Sequence, residues 1–209
     1  MRQALLLTLL GPTIMATTIY AGGFNSNGAY IEGVAFGGNG CPQGTVNAIM
    51  NEDGSAISVF FDEYMADSST NRYGMDRKSC NVGVTVHVPQ GFSVALLELD
   101  YRGYVSVPYG GRAELTAEYF YAGQPVGTKV KEIWGTRYKP APIDTDFSFR
   151  DTFVGSTMTW SPCGQSVILR ANTSIKANAG YEKARTYIQV DTVDTHAELI
   201  YLLQWRSCR

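Results

Sequence analysis

The chain has 209 residues, 17 basic against 19 acidic, a formal net charge of -2, and 44% hydrophobic and 12% aromatic residues. Nearly balanced charge without a clustered basic face excludes nucleic-acid binding driven by counterion release. The length suits one domain with a substantial core, and no Ser/Pro linker, charge run or internal repeat marks a second.

Met1-Arg2-Gln3 gives a short positive start, Ala4 to Leu10 is apolar, and Gly11-Pro12 breaks any helix that run could form. This is the layout of a secretory signal peptide, with cleavage after Ala16 or, giving a more usual leader length, after Ala21. We assign 1–21 to the leader and 22–209 to a single exported domain. Pro12, Thr13, Thr17 and Thr18 leave too few apolar residues to span about 30 Å of hydrocarbon. The expected location is therefore extracellular, or the periplasm or cell surface in a bacterium, with no membrane insertion once the leader is gone.

The segment Gly37 to Gly44 is glycine-rich, but it lacks the Lys and Ser/Thr of a phosphate-binding loop and precedes no helical pattern. Its glycines read as a tight entry to Cys41. Asn51-Glu52-Asp53-Gly54 has hairpin length, with Gly54 suited to positive φ; it lacks the alternating oxygens and distal Glu of a calcium loop. Ile57, Val59 and Phe61 alternate, as do Val82, Val84, Val86 and Val88, then Leu115, Ala117, Tyr119 and Tyr121, then Val167 through Ile175. Period-2 runs separated by Gly/Pro turns predict an all-β antiparallel sandwich of jelly-roll-like or similar type. The run Arg72 to Lys78, interrupted by Asp76, reads as a solvated loop.

Glu98 and Asp100 are two apart in a predicted strand, hence on one face with Cα atoms about 6.5 Å apart. That spacing admits an acid and a base or nucleophile for glycoside hydrolysis, with Arg102 and Tyr104 near enough to tune them. Asp62 and Glu63, being adjacent, face opposite sides. Tyr101, Tyr104 and Tyr109 cluster about Arg102, with Tyr64, Tyr73, Tyr119 and Tyr121 adding rings. Aromatic faces beside hydrogen-bonding groups suit sugar rings or a protein partner. The two histidines, His87 and His196, read as strand-surface residues; no G-x-S-x-G elbow accompanies them and no ligand spacing calls for zinc or another cofactor.

Asn172-Thr173-Ser174 is an N-glycosylation sequon in a host with an endoplasmic reticulum. Tyr187, Ile188 and Val190 predict a short strand neighbouring the last one. The final run from His196 to Arg206 alternates through Leu199, Tyr201, Leu203 and Trp205, and its Tyr, Ile and Trp favour strand over helix. Cys41, Cys80, Cys163 and Cys208 contain no C-x-x-C pair and read as two disulfides of an exported protein. Four cysteines allow three pairings; the expected one joins Cys41 to Cys80 and Cys163 to Cys208.

In order, the landmarks are Gly37-Gly38-Asn39-Gly40-Cys41-Pro42-Gln43-Gly44, Phe61-Asp62-Glu63-Tyr64, Cys80, Asp100-Tyr101-Arg102-Gly103-Tyr104, Trp160-Ser161-Pro162-Cys163-Gly164, and Leu203-Gln204-Trp205-Arg206-Ser207-Cys208. This series resembles the secreted family labelled domain of unknown function 4360, across about 36 to 208. The resemblance implies a secreted cysteine-containing domain without an established activity, and it brings no catalytic residues. The expected function is binding of an extracellular glycan or protein by Tyr101, Arg102, Tyr104 and Tyr109. The alternatives are a glycan hydrolase using Glu98 and Asp100, and a secreted inhibitor or effector.

Overall fold

The computed structural model describes residues 28–135, 142–153, 158–190 and 199–208. The leader, both cleavage points and His196 lie outside the described residues. Among the described residues, twelve strands form two antiparallel sheets packed face to face. The first sheet places β5 (Met75–His87), β10 (Val167–Asn178) and β7 (Arg112–Tyr121) at its centre, with β1 (Tyr30–Gly37) and β8 (Gln124–Trp134) at its edges. The second contains β2 (Val46–Met50), β3 (Ala56–Phe61), β4 (Met65–Asp67), β6 (Phe92–Val107), β9 (Ile143–Thr152), β11 (Tyr187–Gln189) and β12 (Leu199–Ser207). The basic run beginning at Arg72 straddles the turn before β5 and its first residues, so it is only partly loop.

Alternation explains the packing. Val82, Val84 and Val86 on β5, Leu115, Ala117, Tyr119 and Tyr121 on β7, and Leu169, Ala171 and Ile175 on β10 all turn inward. They meet Ile57, Val59, Leu99, Val105, Leu199 and Tyr201 from the opposing sheet. Each strand thus supplies every second residue to a shared core and the intervening residues to an outer surface. The hairpin expected at Asn51 joins β2 to β3: Gly54 N donates to Asn51 O at 3.0 Å, Gly54 sits at φ 68°, and the Asp53 carboxylate accepts from Ser55 N at 2.8 Å.

The neighbour of the last strand differs from expectation. β12 pairs with Phe92 to Tyr101 of β6 and β11 with Tyr104 to Ser106, whereas β9 pairs with Glu98 to Val107. Because the β9 span overlaps both others, β11 and β12 must share the opposite edge of β6, end to end. They are two halves of one interrupted strand rather than a hairpin. β4 and β3 pair with them in the same way, so β6 runs the length of both halves. A register shift between Leu202 and Leu203 skips Leu97 and keeps Leu96 and Leu99 both facing the core.

Both expected disulfides are present, Cys41–Cys80 with Cα atoms 5.4 Å apart and Cys163–Cys208 with Cα atoms 6.0 Å apart. Cys41 and Cys80 are buried, and Gly40 beside them lies so close to the Tyr64 ring that an added Cβ would stand 2.6 Å from it. Tyr64 bonds Thr173 at 2.8 Å, and since Thr173 gives its own proton to Cys80 O at 2.8 Å, Tyr64 is the donor. Tyr64, Tyr101, Tyr119, Tyr121 and Tyr201 form a buried phenol cluster. Burial pushes all five phenols up, Tyr121 to about 12.

Candidate binding face on the outer sheet

The outer side of β6 presents Glu98, Asp100, Arg102, Tyr104 and Ser106, with β9 alongside presenting Asp144, Asp146, Ser148, Arg150 and Thr152. The two carboxylates expected as a pair do share this face, but both are engaged. Asp100 is 2% exposed and accepts from Arg102 Nε at 3.1 Å, Arg102 Nη2 at 3.0 Å and Ser148 Oγ at 2.7 Å, with Arg150 Nη2 at 3.6 Å. Glu98 takes Arg150 Nε at 3.0 Å and Thr152 Oγ1 at 3.4 Å. A buried carboxylate surrounded by two guanidinium groups and a hydroxyl has little open surface toward a glycosidic oxygen. The cluster reads as a cross-strand brace between β6 and β9.

The residues expected around Arg102 separate by strand parity. Tyr101 is 2% exposed and faces the core, its ring 6.1 Å from that of Tyr119, so it is withdrawn from any surface constellation. Tyr64, Tyr119 and Tyr121 are buried in the same interior. Tyr109 lies half-buried in the turn closed by Gly111 N on Pro108 O at 3.0 Å, beyond the end of β6. Arg102 and Tyr104 remain on the outer face, where Arg102 is tied to Asp100.

Tyr104 instead meets a residue absent from the sequence-based set. Tyr187 on β11 stands beside it, ring centroids 6.5 Å apart and planes tilted by 53°. The hydroxyl of Tyr104 donates to Asp144 Oδ1 at 3.3 Å, and that of Tyr187 donates to Gln189 Oε1. Arg185 lies 5.3 Å from the centre of the Tyr187 ring and ion-pairs with Asp67 through Nε at 2.8 Å. Partial loss of solvent, then the nearby Asp144 charge, raises the Tyr104 phenol. At Asp67, the burial that would raise the carboxyl is outweighed by bonds from Arg185 and Ser69, which hold it below its ordinary range. Two half-exposed rings thus lie in an open sheet surface with an amide, carboxylates and a guanidinium at their edges.

The other sequence-level candidates lie elsewhere. His87 stacks on Tyr30 at 4.6 Å and places Nδ1 3.2 Å from Glu32 on the first sheet. Asn172 is on β10, its Oδ1 accepting from Arg170 Nε at 2.9 Å. Trp160 has the guanidinium carbon of Arg206 4.1 Å from the centre of its ring. Among the described residues no group of three or more His, Cys, Asp or Glu is arranged to hold a metal ion.

Residues 27–208 match the family described as Domain of unknown function (DUF4360). The chain is 31% identical over 180 residues to an uncharacterized secreted protein of Arthroderma benhamiae, covering 86% of this chain and 71% of that one. Among solved structures it is similar to TmCBM61 in complex with beta-1,4-galactotriose, at 9% identity and TM-score 0.25 over 90% of this chain and 97% of that one. It is also similar to the GH31 alpha-xylosidase from Xanthomonas citri, at 10% identity and TM-score 0.19 over 83% of this chain and 20% of that one. With TM-scores this low, neither likeness bears on what the chain binds.

Proposed function

The chain belongs to the family described as Domain of unknown function (DUF4360), and from that premise we propose an exported, non-catalytic module that binds an extracellular glycan on the outer face of β6 and β11. Export is supported by two disulfides, which persist in oxidising compartments, and by the secreted relative. No helix among the described residues is long and apolar enough to cross a membrane.

The observation that carries the ligand class is the paired, outward Tyr104 and Tyr187 rings with polar groups at their edges. A sugar ring has apolar C–H surface on its faces and hydroxyls around its rim, so it needs an aromatic plane and hydrogen-bonding groups within one ring's width. A protein hot spot favours aromatic rings and arginine but is depleted in carboxylates. Here the carboxylates of Asp67 and Asp144 stand beside the rings.

A glycan array followed by affinity electrophoresis on the retained polysaccharides tests the proposal. Joint Tyr104→Ala and Tyr187→Ala substitution is expected to weaken retention at least tenfold, about 1.4 kcal/mol, while Glu98→Gln binds as the parent does. Unaltered binding by the double variant refutes the Tyr104 and Tyr187 site. Release of reducing sugar that is lost in Glu98→Gln supports the hydrolase reading, and silence on every polysaccharide turns the search toward a protein partner.

A further inference from the structure

A second site lies at the other end of β6. Ser93, Ser161, Cys163, Arg206, Ser207 and Cys208 line an open pocket of about 740 Å³, within the roughly 300–1,000 Å³ range of small-ligand sites. β6 and β12 bring Ser93 opposite Arg206 in register, and the isolated bridge between Ala95 and Trp160 fixes the third wall. Backbone bonds from Ser161 N to Val94 O at 2.8 Å and from Cys208 N to Gly91 O at 2.7 Å hold that wall and the end of the last strand in place. The disulfide then closes the pocket's rim.

Among the described residues, the only formal charge in this lining is Arg206. Its guanidinium carbon lies 4.1 Å from the centre of the Trp160 ring, and it has no ion-pair partner among the described residues. A guanidinium held against an aromatic ring keeps N–H groups to offer, and two of them can grip a carboxylate with parallel bonds. Ser93 is 4% exposed, and among the described residues its hydroxyl has only the weak Cys208 Sγ contact at 3.4 Å. Hydroxyl-lined walls around one prepositioned cation fit a ligand that combines one acidic group with several hydroxyls.

We propose that this pocket binds a carboxylate-bearing sugar unit, a hexuronate, with Arg206 on the carboxylate and the Ser93 and Ser207 hydroxyls on the ring hydroxyls, while the Ser161 hydroxyl is taken by Val94 N at 3.0 Å. The assignment is independent of the Tyr104 and Tyr187 reading, because no residue is shared.

Isothermal titration of the whole exported domain with trigalacturonate, with maltotriose and sodium phosphate as separate titrants, tests it. The expected result is saturable binding of trigalacturonate only, weakened at least tenfold by Arg206→Gln and partly kept by Arg206→Lys. Arg206 is exposed, so thermal unfolding of both Arg206 variants is expected to match the parent. If a variant does unfold early, protection of the parent's Cys163–Cys208 bridge from dithiothreitol by trigalacturonate serves as the second readout. Absence of saturable binding, equal binding by Arg206→Gln, or phosphate binding as tightly as trigalacturonate overturns the proposal.

Discussion

The two disulfide corners close loops of similar length, with sequence separations of 39 and 45 residues, and the chain-entropy model gives each roughly 4 kcal/mol. Their surroundings are opposite. Cys41–Cys80 is enclosed by Gly40, Tyr64 and Thr173 and joins the main core, whereas Cys163 is exposed and Cys208 half-buried at the mouth of a pocket. Spacing along the chain sets what a crosslink takes from the unfolded state; packing decides whether it is also part of the core or part of a surface.

Removing the bridges is the strongest test of that contrast. Joint Cys41→Ala and Cys80→Ala replacement is expected to cost roughly 4 kcal/mol of crosslink entropy and about 1–2 kcal/mol more for the buried volume lost. Cys163→Ala with Cys208→Ala is expected to lose only the first part, and equal urea midpoints for the two variants would remove the distinction. Next are the neighbouring glycines. Gly40→Ala must displace the buried Tyr64 ring and is expected to cost about 1–3 kcal/mol. Gly164→Ala meets the movable Gln90 side chain at φ 63° and is expected to cost about 1 kcal/mol, read by thermal melts.

Under native conditions with dithiothreitol, the Cys163–Cys208 bridge is expected to open at least tenfold faster, because exchange needs access to a sulfur. Alkylation and peptide mapping over time give the order, and simultaneous opening would place both bridges under one global unfolding event. The smallest effects concern single hydroxyls. Tyr64→Phe leaves Thr173 without its donor and is expected to cost about 1 kcal/mol, while Tyr201→Phe removes a buried hydroxyl with no hydrogen-bond partner among the described residues and is expected to be neutral or slightly stabilising. Urea titration of the two variants separates them.

Much of the scaffold was legible because β-branched and aromatic alternation records which face is buried. The runs at Ile57, Val82, Leu115, Val167 and Leu199 all became strands, and the expected cysteine pairing formed. Strand order was less legible: Tyr187 and Leu199 are close in sequence, yet both segments dock along β6 because that strand is long enough to hold them in line. The same parity that identified the strands also separates Tyr101 from Tyr104, three residues apart, so a cluster that looks compact along the chain is divided between core and surface. Tyr187 carries its own local signal, alternating with buried Ile188, but its meeting with Tyr104 depends on pairing across more than eighty residues. Glu98 and Asp100 were placed on one face correctly; the arginines that occupy them come partly from β9, whose partner no local pattern specifies.

The unbroken course of β6 has a consequence for long ligands. Ser93 and Tyr104 are eleven residues apart on this single strand, about 35 Å at roughly 3.3 Å per residue. The pocket and the aromatic face are thereby held at a fixed separation. If both proposed sites bind as argued, a short saccharide is expected to meet one or the other. A polymer with acidic and neutral stretches long enough to bridge that distance would then meet the second site at an effective concentration in the millimolar range, and its apparent affinity is expected to rise sharply at the bridging length, without any added contact.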